Sequence, residues 1–261
     1  MKENILKKSL IFSITFLLTM LSIITVQATI PIRTLQPPDV VYVDDDFNSS
    51  TPGWGYDHFD KIQDGINAIQ LNGTVNVYSG LYYENIEIIK SLELKGENVH
   101  STIIDGRNLS DVIHIHEDWT TVNGFMIKNG SNGILCSADH IEISGNIITE
   151  NIDWGVFLTG SYNIVSENSI DNNGHITGTV GATGGIYLAL AFSCRISKNN
   201  IRNNTERNAF FFKSMFNIWS RNFWDNPRFL PYLIFGIQAI IPPIFWIKID
   251  WIPAKQPYDI S

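Results

Sequence analysis

Apolar positions in this chain recur in short alternating runs, not in long stripes. Ile141-Glu142-Ile143-Ser144-Gly145-Asn146-Ile147-Ile148 returns as Val165-Ser166-Glu167-Asn168-Ser169-Ile170, then as Ile196-Ser197-Lys198-Asn199-Asn200-Ile201 and Trp219-Ser220-Arg221-Asn222-Phe223-Trp224. A weaker copy, Val122-Asn123-Gly124-Phe125-Met126-Ile127, precedes them. Aligned, the copies form one apolar column at Ile127, Ile148, Ile170, Ile201 and Trp224 and another at Val122, Ile143, Val165, Ile196 and Trp219, both with spacings of 21, 22, 31 and 23. A third column, Val112, Ile134, Val156, Ile186 and Phe210, is spaced 22, 22, 30 and 24.

Runs this short are not stable sheets on their own. Stacked copies are: each run pairs in parallel with its equivalent one repeat away, about 4.8 Å distant, and equal positions superpose into a continuous apolar interior. A helical repeat of the same length fails, because the runs alternate with period 2 and Gly and Asn interrupt any 3.6-residue stripe. The pattern predicts an all-β chain, a single-stranded parallel β-helix with about seven coils between Thr74 and Asn226.

Asparagine keeps the same phase. Asn146, Asn168, Asn199 and Asn222 form one column, and Asn129, Asn151, Asn172-Asn173, Asn203-Asn204 and Asn226 follow at a second. Asn tolerates the left-handed backbone of a tight corner, and stacked amides bond along a column, so these residues read as structural. The spacing of 31 contains an insertion of about nine residues within Asn173–Gly185. Insertions in solenoids emerge as loops on one face, which makes His175 and Thr177 candidate ligand contacts.

A solenoid needs closed ends. At the front, Asp57–Ile69 reads as a capping helix with Phe59, Ile62, Ile66 and Ile69 on one face and Asp57 as its cap. At the back, residues 229–247 carry no charged residue. Pro231, Pro242 and Pro243 break helical hydrogen bonding there, so an irregular apolar cap is expected, with membrane contact as the alternative. Lys2, Lys7 and Lys8 followed by the apolar run Ile11–Val26 and the small residue Ala28 read as a signal peptide over 1–28, an uncleaved anchor being the alternative. The expected organisation is 1–28 signal, 29–56 extended lead-in, 57–228 capped β-helix and 229–261 apolar cap or membrane-contacting tail.

Removing residues 1–28 leaves 15 basic and 25 acidic residues and takes the formal charge from −8 to −10. An acidic surface repels phosphate backbones, which argues against nucleic acid as a partner. Cys136 and Cys194 are too few for a disulfide framework and read as isolated core residues.

The stretch Gln63–Gly106 resembles the opening of right-handed β-helix proteins of the pectin-lyase-like superfamily. The resemblance rests on Ile62-Gln63-Asp64-Gly65-Ile66-Asn67-Ala68, Gly73–Asn85, Ser91–Glu97 and Thr102-Ile103-Ile104-Asp105-Gly106. The later coils resemble the repeats of NosD-like periplasmic proteins and of carbohydrate-binding and sugar-hydrolase β-helices. Val41–Asp46 and the closing Trp251–Ala254 and Pro257–Ile260 resemble the ends of exported microbial β-helices. The resemblance implies a right-handed fold. The superfamily's esterases and polygalacturonases imply clustered carboxylates, and no residue of this chain forms either motif.

Candidate chemistry must therefore come from single residues. Trp119, Trp154 and Tyr162, with Asp153 beside Trp154, are candidate sugar contacts at coil corners. His114 and His116 alternate with Ile113 and Ile115, which puts both imidazoles on the outer face with Glu117 and Asp118 beside them as a candidate metal site. Copper is the metal associated with NosD-like proteins, and Asp44-x-Asp46-x-Asn48 has part of a calcium-loop pattern. The expectation is a monomeric, exported protein of the cell surface or periplasm that needs no cofactor. It is expected to bind polysaccharide or another envelope component, or to serve a structural role at the surface, without catalysis. The alternatives are a lyase or hydrolase with a degenerate site at Asp153 or Asp171, and a NosD-like metal-handling protein.

Overall fold

A computed structural model describes residues 36–174, 183–228, 230–240 and 243–260. The signal segment, the insertion at 175–182 with the candidate ligand contacts His175 and Thr177, and position 229 lie outside the described residues.

Three parallel sheets run along the solenoid, and each coil gives one strand to each. Glu142–Ser144, Ile147–Thr149 and Trp154–Leu158 make one such coil. Among the described residues, the first sheet has seven coil strands from Gly73–Val77 to Ile218–Ser220, preceded by Val40–Val43 and His58–Phe59. The expected seven coils are therefore present. The lead-in is not separate from them, because Val40–Val43 pairs in parallel with the first coil.

Two apolar columns have the predicted register. Val122, Ile143, Val165, Ile196 and Trp219 pair in sequence in the first sheet. Ile127, Ile148, Ile170, Ile201 and Trp224 do so in the second. The third column differs by one residue at both ends: it runs Ile113, Ile134, Val156, Ile186 and Ala209. Val112 and Ile113 are both buried, and Ala209-Phe210-Phe211-Phe212 contains no polar residue to mark its outer side. Where two neighbours are equally apolar, the pattern cannot fix a register that flips with a one-residue slip.

The buried Asn column is a continuous hydrogen-bonded ladder. Asn146 Nδ2 donates to Asn168 Oδ1 (3.1 Å), Asn168 Nδ2 to Asn199 Oδ1 (3.0 Å), and Asn199 Nδ2 to Asn222 Oδ1 (3.0 Å). Asn222 Nδ2 donates to the buried carboxylate of Asp250 (3.1 Å), which ends the ladder. A second ladder joins Asn151, Asn173 and Asn204. The second Asn column supplies left-handed corners as expected, whereas beside the first they belong to other residues. Gly145, Glu167, Lys198 and Arg221 take positive φ just before the first ladder, and Asn129, Asn172 and Asn203 do so near the second.

The front helix is shorter than expected, Ile62–Ala68, and begins after Lys61 without a side-chain cap. Asp57 bonds His58 instead. The helix N-terminus is held by Glu84 from the first coil, whose carboxylate accepts the Ile62 (2.8 Å) and Gln63 (2.9 Å) N–H groups. Ile62, Ile66 and Ile69 close the core as expected. A Cβ on Gly65 would lie 2.8 Å from Val43, so only glycine lets the helix approach this closely.

The back is not irregular. Tyr232–Ile240 extends the third sheet in parallel with Arg207–Phe212, and Pro243–Asp250 returns antiparallel to it. The hairpin buries Ile234 but leaves Phe235, Phe245 and Trp246 exposed. The prolines exclude helix and not strand, since Pro243 opens the last, edge strand. No described helix is long and apolar enough to cross a membrane. Cys136 and Cys194 are free and buried, and burial pushes their thiols up to about 12 and about 11.

Candidate functional site

Three groups of outward side chains stand apart from the packing scheme. The first lies on the corner between the third and first sheets. Trp119, His140 and Tyr162 occupy the same step of successive coils, all with φ near +60°. Their rings stack almost parallel: Trp119 on His140 at 4.1 Å and 1°, His140 on Tyr162 at 5.1 Å and 7°. Trp119 and Tyr162 stay 65% and 57% exposed. The next residues at this step are Ser193 and Phe216, also at positive φ, as the backbone bonds Tyr162 N to Phe192 O and Ser193 N to Met215 O show. Among the described residues no ring lies against the free face of Tyr162, because Ser193 offers none. Phe216, 71% exposed, holds the same step two coils away. Two coil steps are about 10 Å, room for one ring between two rings.

The second group is on the third sheet. Phe157, Tyr187 and Phe210 form an outer column with centroids 4.7 and 5.6 Å apart. Trp154 stacks on Tyr187 at 5.0 Å, but only 5% of it is exposed. It is thus a packing residue, and the expectation that it offers a surface for sugar is corrected. Asp153 beside it is half-buried, and burial, then the charge of Asp111, raises its pKa. Asp171 does not join Asp153. Its carboxylate accepts from Thr149, Ser169 and Asn172 on the second sheet. A groove of about 930 Å³ between the last coil and the hairpin is lined by Glu206, Arg207, Asp225, Arg228 and Tyr232, none of which the repeat pattern singles out.

The third group contains His114 and His116. Their rings lie 3.7 Å apart on the outer face of the third sheet, as the alternation predicts. The carboxylate that joins them is not Glu117 or Asp118 but Glu87, from the coil before. Asp118 accepts the Asp139 N–H at the corner. Burial, then the neighbouring His116, lowers the His114 pKa, which favours neutral imidazole. Of the calcium-like residues, Asp44 accepts the Asp46 N–H and Asp45 accepts the Leu81 N–H.

No family model matches this chain, and no curated protein is similar to it in sequence. Among solved structures, the alginate lyase from Paenibacillus sp. str. FPU-7 superposes with a TM-score of 0.55 at 15% identity, over 62% of this chain and 63% of that one. The fold is a right-handed parallel β-helix. A pectin methylesterase from carrot aligns over 80% of this chain and 66% of that one, at 11% identity and a TM-score of 0.38. This chain thus spans under two thirds of the alginate lyase, and at such identity the likeness is one of fold.

Proposed function

We propose that this β-helix is an exported protein of the cell surface or periplasm that binds polysaccharide without cleaving it. Exposed Tyr162 and Phe216 at one step of the coil, two coils apart with Ser193 between them, carry the reading. A sugar ring presents flat C–H faces to aromatic rings, and a slot with one ring on each side holds such a face at little entropic cost, because the walls are fixed by the coils. The ladder of Trp119, His140 and Tyr162 stiffens one wall. The separate placement of Asp153 and Asp171 supports a binding role over hydrolysis, which needs two carboxylates across one bond.

The test is retention on immobilised acidic and neutral polysaccharides, with release of shortened or unsaturated ends followed in parallel. Retention without product is expected. Tyr162→Ala and Phe216→Ala should each weaken retention, and Ser193→Tyr should abolish it by completing the ring stack. Unchanged retention in all three variants would remove this slot, and product formation would replace binding with catalysis.

A further inference from the structure

We propose that Glu87, His114 and His116 bind a divalent transition ion of the zinc type, with an open coordination position toward solvent. The register brings the donors together. Glu87 lies directly beside His114 in the adjacent coil, and His116 leaves the same face two residues further on. One atom from each side chain falls within 4.8 Å of the others. Glu87 Oε2 is 2.5 Å from His116 Nε2 and 3.7 Å from His114 Nδ1. Donors on a tetrahedral ion with ~2.0 Å bonds sit about 3.3 Å apart, so both separations adjust by less than ~1 Å.

The donor set selects the class of ion. Two imidazoles and a carboxylate suit zinc and its neighbours, whereas calcium takes six to eight oxygens. Three protein ligands leave room for water or a ligand atom. The supports are also present. Gln63 of the capping helix fixes the Glu87 backbone from both sides, accepting its N–H (2.8 Å) and donating to its carbonyl (3.2 Å). Ser137 Oγ lies 3.5 Å from His114 Nε2, the nitrogen turned away from Glu87. Such outer contacts orient metal ligands and are worth ten- to a hundredfold in affinity.

Tag-free protein stripped with chelator, then titrated with zinc chloride and separately with calcium chloride by calorimetry, tests this. One zinc per chain and no calcium heat are expected. His116→Ala and Glu87→Gln should each weaken zinc binding by at least about tenfold, and His140→Ala should leave it unchanged. Far-ultraviolet circular dichroism checks that each variant is folded. Glu87→Gln retains both backbone bonds to Gln63, so it separates loss of a ligand from loss of structure. Absent zinc heat in the wild type, or equal heat in the folded His116→Ala and Glu87→Gln variants, would overturn the assignment.

Discussion

Replacing Asn168 by alanine tests whether the buried amide column holds the coils together. The Asn168 side chain is fully buried and serves three coils. Its oxygen accepts the Asn146 N–H (3.0 Å) and the Asn146 amide (3.1 Å). Its Nδ2 donates to the carbonyls of Ile143 (2.8 Å) and Ser166 (3.0 Å) and to Asn199 Oδ1 (3.0 Å). Alanine removes the partner of one buried N–H and one buried C=O at least. Each unsatisfied group costs about 1–3 kcal/mol, so a loss of about 4 kcal/mol is expected. For a domain of this size that lowers the unfolding temperature by roughly 8–16 °C. Calorimetry against Asn172→Gly is the assay. Asn172 is exposed at φ 54°, and glycine accepts that backbone, so this control should shift by less than about 2 °C. Equal small shifts in both variants would refute the ladder as a source of stability.

Trp154→Ala should destabilise the fold by about 3–5 kcal/mol in denaturant unfolding, since it empties a buried site against Tyr187; a loss under 1 kcal/mol would contradict its burial. Cys136 and Cys194 should resist a thiol reagent at neutral pH and both react once the chain is denatured, and fast labelling of the native protein would show that the corner opens. Burial raises the folded pKa of Glu84 above its usual value, against the opposing pull of the Gln63 and Ile62 N–H groups. A carboxyl raised in this way burdens the fold above its folded pKa and is relieved as pH falls through it. The wild type should therefore gain stability relative to Glu84→Gln as the pH is lowered from about 7 toward about 4, and parallel pH profiles would exclude the effect.

How far the sequence discloses this structure depends on the contrast between neighbouring residues. Ile143-Ser144 and Val165-Ser166 alternate sharply, so their sheet could be aligned to the residue. Val112-Ile113 and Ala209-Phe210 do not, and the third column slips there. The capping of the helix by Glu84 is invisible locally, because the carboxylate arrives from 22 residues away. Prolines in 229–247 argue against helix but say nothing against a strand pair. Of the outward residues, His114 and His116 were legible through period-2 alternation. Glu87 was hidden by a 27-residue separation from His114, outside the 21–22 spacing of the clearer coils. His140 had a signal, since Trp119, His140 and Tyr162 are spaced 21 and 22. The burial of Trp154 had none, because Asp153-Trp154 alone reads as an exposed corner.

The amide ladder has a direction, and that direction meets the order in which the chain is made. In each step the donors belong to the earlier coil and the acceptor to the later one, from Asn146 through Asn222 to Asp250. Along the ladder the amide acceptor thus comes from the following coil, while the same Nδ2 groups also donate back to a carbonyl of the coil before, as Asn168 does to Ile143. Without the following coil the backbone N–H of the last ladder residue lacks its acceptor, as Asn168 N–H lacks Asn199 Oδ1. Asp250, which also takes the Trp224 Nε1–H and the Asn222 N–H, supplies the final acceptor from the returning strand of the hairpin. The solenoid can therefore grow coil by coil during synthesis, but its ladder is closed only when Asp250, 28 residues beyond Asn222, is in place.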